Sequence, residues 1–95
     1  MNRKIMKKKS DKKENAKSLK TRIDKIALEY GFYKESNNEA NLSCNYRDPV
    51  LPLLISFYAT NGTIGISYCK EPFKWYKGCK EEKIKNIFQY PLDYV

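Results

Sequence analysis

The run Phe73-Lys74-Trp75-Tyr76-Lys77 alternates rings with cations, and Lys70 before it and Lys80 after it extend the pattern. Aromatic faces stack on nucleobases and ammonium groups neutralise phosphates, so this mixture suits a surface that tracks a nucleic-acid backbone. A second set lies at the other end of the chain. Residues 1–25 hold eleven Lys or Arg against three acids, and the rest carries eight of each sign, so the whole net charge of +8 sits in the first quarter. Arg3, Lys4, Lys7, Lys8, Lys9, Lys12, Lys13, Lys17 and Lys20 are the expected phosphate contacts there, each able to release a condensed counterion. Lys74, Tyr76, Lys77 and Lys80 complete the expected nucleic-acid-binding set.

Both sets have a plainer reading. Phe73 and Trp75 share one side of a strand and suit a core, which would leave only Tyr76 and the lysines outside. Lys7-Lys8-Lys9 and Lys12-Lys13 would also serve as a nuclear-import signal or a solubility tail.

Other chemistry is thinly represented. The chain has no His, no glycine-rich phosphate loop, and no nucleophile spaced from a base in a recognisable way, so neither an enzyme nor a cofactor is expected. Cys44, Cys69 and Cys79 are odd in number and form no Cys-x-x-Cys pair; they read as reduced thiols, with no metal site expected. Cys79 just precedes a helix, where the dipole with Lys77 and Lys80 would favour its thiolate, although an ordinary capping or packing role is the favoured reading. Glu81 and Glu82 read as first-turn helix acids, because adjacent residues point to different sides of a helix.

The elements that must position these residues follow from periodicity. Leu19, Ile23, Ile26, Ala27 and Tyr30 form one helical stripe, opened by Asp11 and Glu14 as a capping pair and closed by Gly31. Glu35 to Ala40 is polar and reads as a loop. Leu42, Cys44 and Tyr46 alternate with polar residues as a short strand ended by Asp48-Pro49. Asn61-Gly62 predicts a two-residue type I′ hairpin in which Ala59 faces Ile64, Phe57 faces Ile66 and Ile55 faces Tyr68. Its inner face would be Leu53, Ile55, Phe57, Ala59, Ile64, Ile66 and Tyr68. Phe73 to Lys77 reads as a further strand, and Glu81 to Tyr90 as a last helix with Ile84, Ile87 and Phe88 on its apolar stripe and Pro91 stopping it.

The expectation is one α+β domain over residues 12–95 after a flexible basic arm over 1–11. Its order is α-β-β-β-(β)-α, a three- to four-stranded antiparallel sheet with both helices on one face. No apolar run approaches the roughly 20 residues of a membrane span; the longest, Val50 to Ala59, is interrupted by Pro52 and Ser56. The basic start lacks the apolar stretch of a signal peptide, which points to a cytoplasmic or nuclear protein that is not secreted.

The element order from about Leu19 onward resembles that of double-stranded-RNA-binding domains, and it also fits small ribosome-associated proteins. Where those domains carry a Gly-Pro-x-His-type loop, the chain has Asp48-Pro49-Val50-Leu51-Pro52, and its last helix opens on Glu81-Glu82. The resemblance implies phosphate contacts from Lys77, Lys80 and Lys83. The expected function is non-enzymatic binding of nucleic acid, RNA rather than DNA, with low sequence specificity because phosphate contacts position without reading bases. The alternative is a protein-interaction module, an adaptor or inhibitor, that meets a protein or ribonucleoprotein partner through Tyr58, Trp75, Tyr76 or the segment Tyr90 to Val95. No membrane partner is expected, and the oligomeric state is open.

Overall fold

The computed structural model describes residues 2–95, with side chains from Glu14 onward. Asp11 and Glu14 fall inside the first helix, which runs over Asn2–Glu29, so they do not open it as the expected capping pair; the contacts of Arg3 to Lys13 lie outside the described side chains. The chain is an α+β domain: helix α1 (Asn2–Glu29), strands β1 (Tyr33–Asn38), β2 (Ser43–Arg47), β3 (Leu53–Tyr58), β4 (Thr63–Tyr68) and β5 (Lys74–Tyr76), helix α2 (Glu81–Gln89), and a 3-10 turn η1 (Pro91–Asp93). The strands form one antiparallel meander in the order β1-β2-β3-β4-β5. Both helices lie on the same face.

Burial of apolar stripes explains that arrangement. Ile23 and Ala27 of α1 and Ile84, Ile87 and Phe88 of α2 meet Tyr46, Leu53, Ile55, Phe57, Ile64 and Ile66 from the sheet, all essentially inaccessible to solvent. At the centre the Phe88 ring meets Phe32 and Tyr46 edge-on, with centroids 5.2 and 5.3 Å away, a geometry that aligns ring edges with ring faces. Gly31, at φ +87°, ends α1. Its N–H donates to Leu28 O and that of Phe32 to Ala27 O, the paired bonds of a Schellman cap that turns the chain into β1.

Two further corrections concern the sheet. Tyr33–Asn38 is a strand, where a loop was expected over much of it, so the sheet has five strands. All six residues are exposed, and an edge strand with both faces wet has no hydrophobic alternation to betray it. A bulge at Glu35 shifts its register against β2. The strand count also separates the fold from the three-stranded order of double-stranded-RNA-binding domains.

The second correction is the hairpin register. Tyr58 pairs with Thr63, Phe57 with Ile64, Ile55 with Ile66 and Leu53 with Tyr68, which makes the loop four residues long, Ala59 to Gly62. Only Gly62 has positive φ, at +68°, so the loop lacks the two left-handed residues of type I′ and belongs to the longer kind. Gly62 N–H donates to Tyr58 O, and Asn61 Oδ1 accepts Thr63 N–H. The observed register sets Phe57 and Ile55 each beside a fully buried Ile. A shift of two residues keeps every side chain on its own face, so the expected inner face survives the error.

Candidate functional site

The face of the sheet away from the helices is uncovered, and its outward residues form rungs across the strands. One rung, Ser36, Asn45, Ser56, Gly65 and Trp75, crosses all five. The next is Asn38, Ser43, Tyr58 and Thr63. Small and polar residues over β1 to β3 leave a groove of about 480 Å³, walled at the β5 side by Tyr58, Phe73 and Trp75.

Gly65 explains how Trp75 sits. A Cβ at position 65 would come within 2.6 Å of the indole, so glycine lets the ring lie directly on the strand. Phe73 stacks beside the indole at 5.2 Å between centroids, and Tyr58 tilts against it at 6.0 Å. Trp75 remains 44% exposed. Beyond it a shallower depression of about 360 Å³ is bounded by Tyr58, Asn61, Thr63, Trp75 and Lys77. Among the described residues, no carboxylate lines either hollow.

The expected site residues divide between the layers. Lys77 joins Trp75 on the open face. Lys74 and Tyr76 pair with Ile66 and Ile64 and therefore point to the helix side. There Tyr76 donates its hydroxyl to Tyr94 O at 2.7 Å, its ring meets Tyr94 edge-on, and Lys83 Nζ lies 5.0 Å from the ring centroid. The final segment thus folds back on β5. Lys80 is the exposed residue before α2 and makes no side-chain cap. Lys77 and Lys83, grouped by the family resemblance, sit on different layers.

On α1, Lys17 is exposed, whereas Lys20 is only 7% exposed and its Nζ is 3.5 Å from Glu39 Oε1. Lys20 therefore lies on the buried side of the helix, committed to an acid. The Glu39 carboxyl is held below the usual carboxylate range, first by the Asn37 amide and then by Lys20. Nearby, Asp24 accepts from Tyr46 Oη at 2.5 Å and from Lys34 Nζ at 2.8 Å, and the latter hydrogen bond raises the Lys34 ammonium above the usual lysine range despite desolvation.

Cys79 is half-buried, and burial pushes its thiol up against the opposing field of Lys83. An activated thiolate is not favoured there. Its backbone is engaged instead, the Cys79 N–H donating to Gly62 O at 2.9 Å and tying the hairpin tip to the entry of α2. Among the described residues, no group of three or more His, Cys, Asp or Glu is placed to hold a metal, and no helix is long and apolar enough to cross a membrane.

Sequence reasoning singled out the β5 run and missed Asn38, Asn41, Ser43 and Asn45 in the polar half of the site. The pairing of Gly65 opposite an aromatic was the signal available, but it needed the β4–β5 register to be seen. The chain matches no family model, and no curated protein or solved structure is similar to it at a significant level.

Proposed function

We propose that this chain is a non-enzymatic nucleic-acid-binding protein with low sequence specificity, favouring RNA over DNA. The observation that carries the reading is an uncovered sheet face whose two hollows are free of carboxylates among the described residues and are lined by Tyr58, Phe73, the exposed Trp75 and Lys77, on a chain whose excess charge of +8 lies at one end. Proteins that hold nucleic acid without reading sequence combine a cationic track with aromatic platforms. Unpaired RNA supplies bases free to meet such a platform. Arg3 to Lys13, with the exposed Lys17, supply the sequence-independent attraction.

The test is titration of labelled single-stranded RNA, duplex RNA and duplex DNA at several salt concentrations, with the full chain and with Lys7, Lys8, Lys9, Lys12 and Lys13 all changed to Glu. Log affinity should fall linearly with log salt for the native chain. The charge-reversed chain should bind weakly, with a slope shallower by roughly 0.7 for each single-strand phosphate no longer neutralised. Binding to none of the three at low salt, or equal binding by both chains, would sink the reading.

A further inference from the structure

Resting on that reading, we infer that the groove beside Trp75 is a seat for one unstacked base of a single-stranded RNA. The base lies on the indole, its phosphate is directed toward Lys77, and its polar edge meets the amides of Asn38, Asn41 and Asn45.

The groove and the depression share Tyr58 and Trp75 as their common wall, so the two hollows run on from one another across a ring. The order along that track is cation, ring, amides. A nucleotide has the same order: an anionic phosphate, a flat heterocycle, and an edge of donors and acceptors. A phosphate alone would call for cations at both ends, yet the groove side is lined by neutral amides and hydroxyls. A purely apolar ligand would leave those amides unpaired, which is costly where water is displaced.

The amides are half used, and the used half fixes the free half. Asn45 donates its side-chain N–H to Ser36 Oγ at 2.8 Å, leaving its amide oxygen without a partner among the described residues. Asn38 Oδ1 accepts the backbone N–H groups of Ala40 and Asn41, and Asn41 Oδ1 accepts the Ser43 hydroxyl at 2.6 Å. Their amide N–H groups are the parts left over. One acceptor and two donors are thus held in place before any ligand arrives, which lowers the ordering cost of binding. The pairing edge of a base presents such alternating groups, and only an unpaired base has that edge free.

Trp75 is the chain's one tryptophan, so its emission reports this seat alone. The full chain is titrated at low salt with a labelled unstructured RNA, a length-matched abasic phosphodiester chain, and a chitooligosaccharide, reading anisotropy for the labelled strands and Trp75 emission for all three. The RNA should bind about tenfold tighter or more than the abasic chain and should quench Trp75, whereas the abasic chain should not. Asn45→Asp sets a carboxylate in the groove and should weaken RNA binding by several fold more than it weakens binding of the abasic chain, which feels only the added charge. Gly65→Ala keeps the fluorophore but displaces it, so quenching should fall; Asn45→Asp gives the answer if that variant does not fold.

Equal affinity for RNA and abasic chain, with Trp75 emission unchanged, overturns the seat and leaves phosphate-driven binding intact. Absence of binding by either strand overturns the seat together with the proposed function. Quenching by the chitooligosaccharide and not by RNA would make the face a glycan site, which also overturns it.

Discussion

The two faces of this sheet are built from alternate residues of the same strands and share almost nothing else. On β3, Leu53, Ile55 and Phe57 face the helices with no exposed surface, while Leu54, Ser56 and Tyr58 face outward. On β4, Ile64 and Ile66 alternate with Thr63, Gly65 and Ser67. One face is close-packed and can tolerate little loss of volume. The other holds small polar residues beside a cluster of three rings, Tyr58, Phe73 and Trp75. Stability is therefore concentrated on one side of the backbone and the proposed recognition on the other, and substitutions should separate the two.

The largest effect is expected from Phe57→Ala. A fully buried phenyl removed from a core costs about 3–5 kcal/mol, a large share of the 5–15 kcal/mol typical of a domain. The thermal transition followed by far-ultraviolet circular dichroism should fall by more than about 12 °C or vanish. A melt within a few degrees of the native chain would contradict the assignment of Phe57 to the core. Gly62→Ala comes next. The residue sits at φ +68°, and an added Cβ would lie 2.8 Å from the Cys79 carbonyl oxygen. Left-handed strain alone costs roughly 1–3 kcal/mol, and the clash is with backbone, which cannot swing away. Hydrogen exchange should show the hairpin tip and the start of α2 loosening together, because the Cys79 N–H to Gly62 O bond joins them.

That coupling also shows what the sequence could and could not disclose. The two faces of β3 and β4 were legible because a period of two needs only the residues themselves, and Ile55, Phe57, Ile64 and Ile66 alternate cleanly. The loop length was not, since Asn61-Gly62 fits a two-residue turn locally while the pairing of Phe57 with Ile64 is decided by packing against the helices. β1 left no trace because Tyr33–Asn38 buries neither face. The site was half legible for a similar reason. Trp75 and Lys77 stand out by residue type, but Asn38, Asn41 and Asn45 become a lining only when β1, β2 and β3 lie side by side. The question of whether Trp75 or Tyr76 faces solvent turned on one register, Gly65 opposite Trp75, in a strand three residues long.

A smaller effect is expected where the covered face carries polarity. Asp24→Asn weakens the hydrogen bonds from Tyr46 and Lys34 and should cost about 1.5 kcal/mol, the low end for bonds to a charged group, because the carboxylate is partly solvated. The pH dependence has a definite sign. The buried Tyr46 hydroxyl is pushed far above the usual tyrosine range, first by desolvation and then by the bond to Asp24, and Lys34 is raised by its bond to Asp24. Both groups hold their protons more tightly folded than unfolded. Their contribution is full below the unfolded values near about 10 and is lost as pH rises beyond them. Urea midpoints measured from pH 8 to 11 should fall over the upper part of that range, and for Asp24→Asn the Lys34 share of the fall should shrink. A midpoint that rises with pH would refute the burial of Tyr46.

The smallest effect on stability should come from Trp75→Ala, although it removes the largest side chain of the set. The indole touches the sheet over Gly65 and meets Phe73 and Tyr58, but it stays 44% exposed and contributes nothing to the layer between sheet and helices. Its removal takes away the ring contacts with Phe73 and Tyr58, worth about 1 kcal/mol beyond area burial, and a half-covered surface that the neighbouring rings and water can refill, so the melting temperature of a domain this size should drop by roughly 4–8 °C. The spectrum of the folded state should otherwise keep its dispersion, with shifts confined to residues around Gly65, Tyr58 and Phe73. If Trp75→Ala instead destabilised the chain as much as Phe57→Ala, the outer face would be a second core, and the division between a packed side and an open side would not hold.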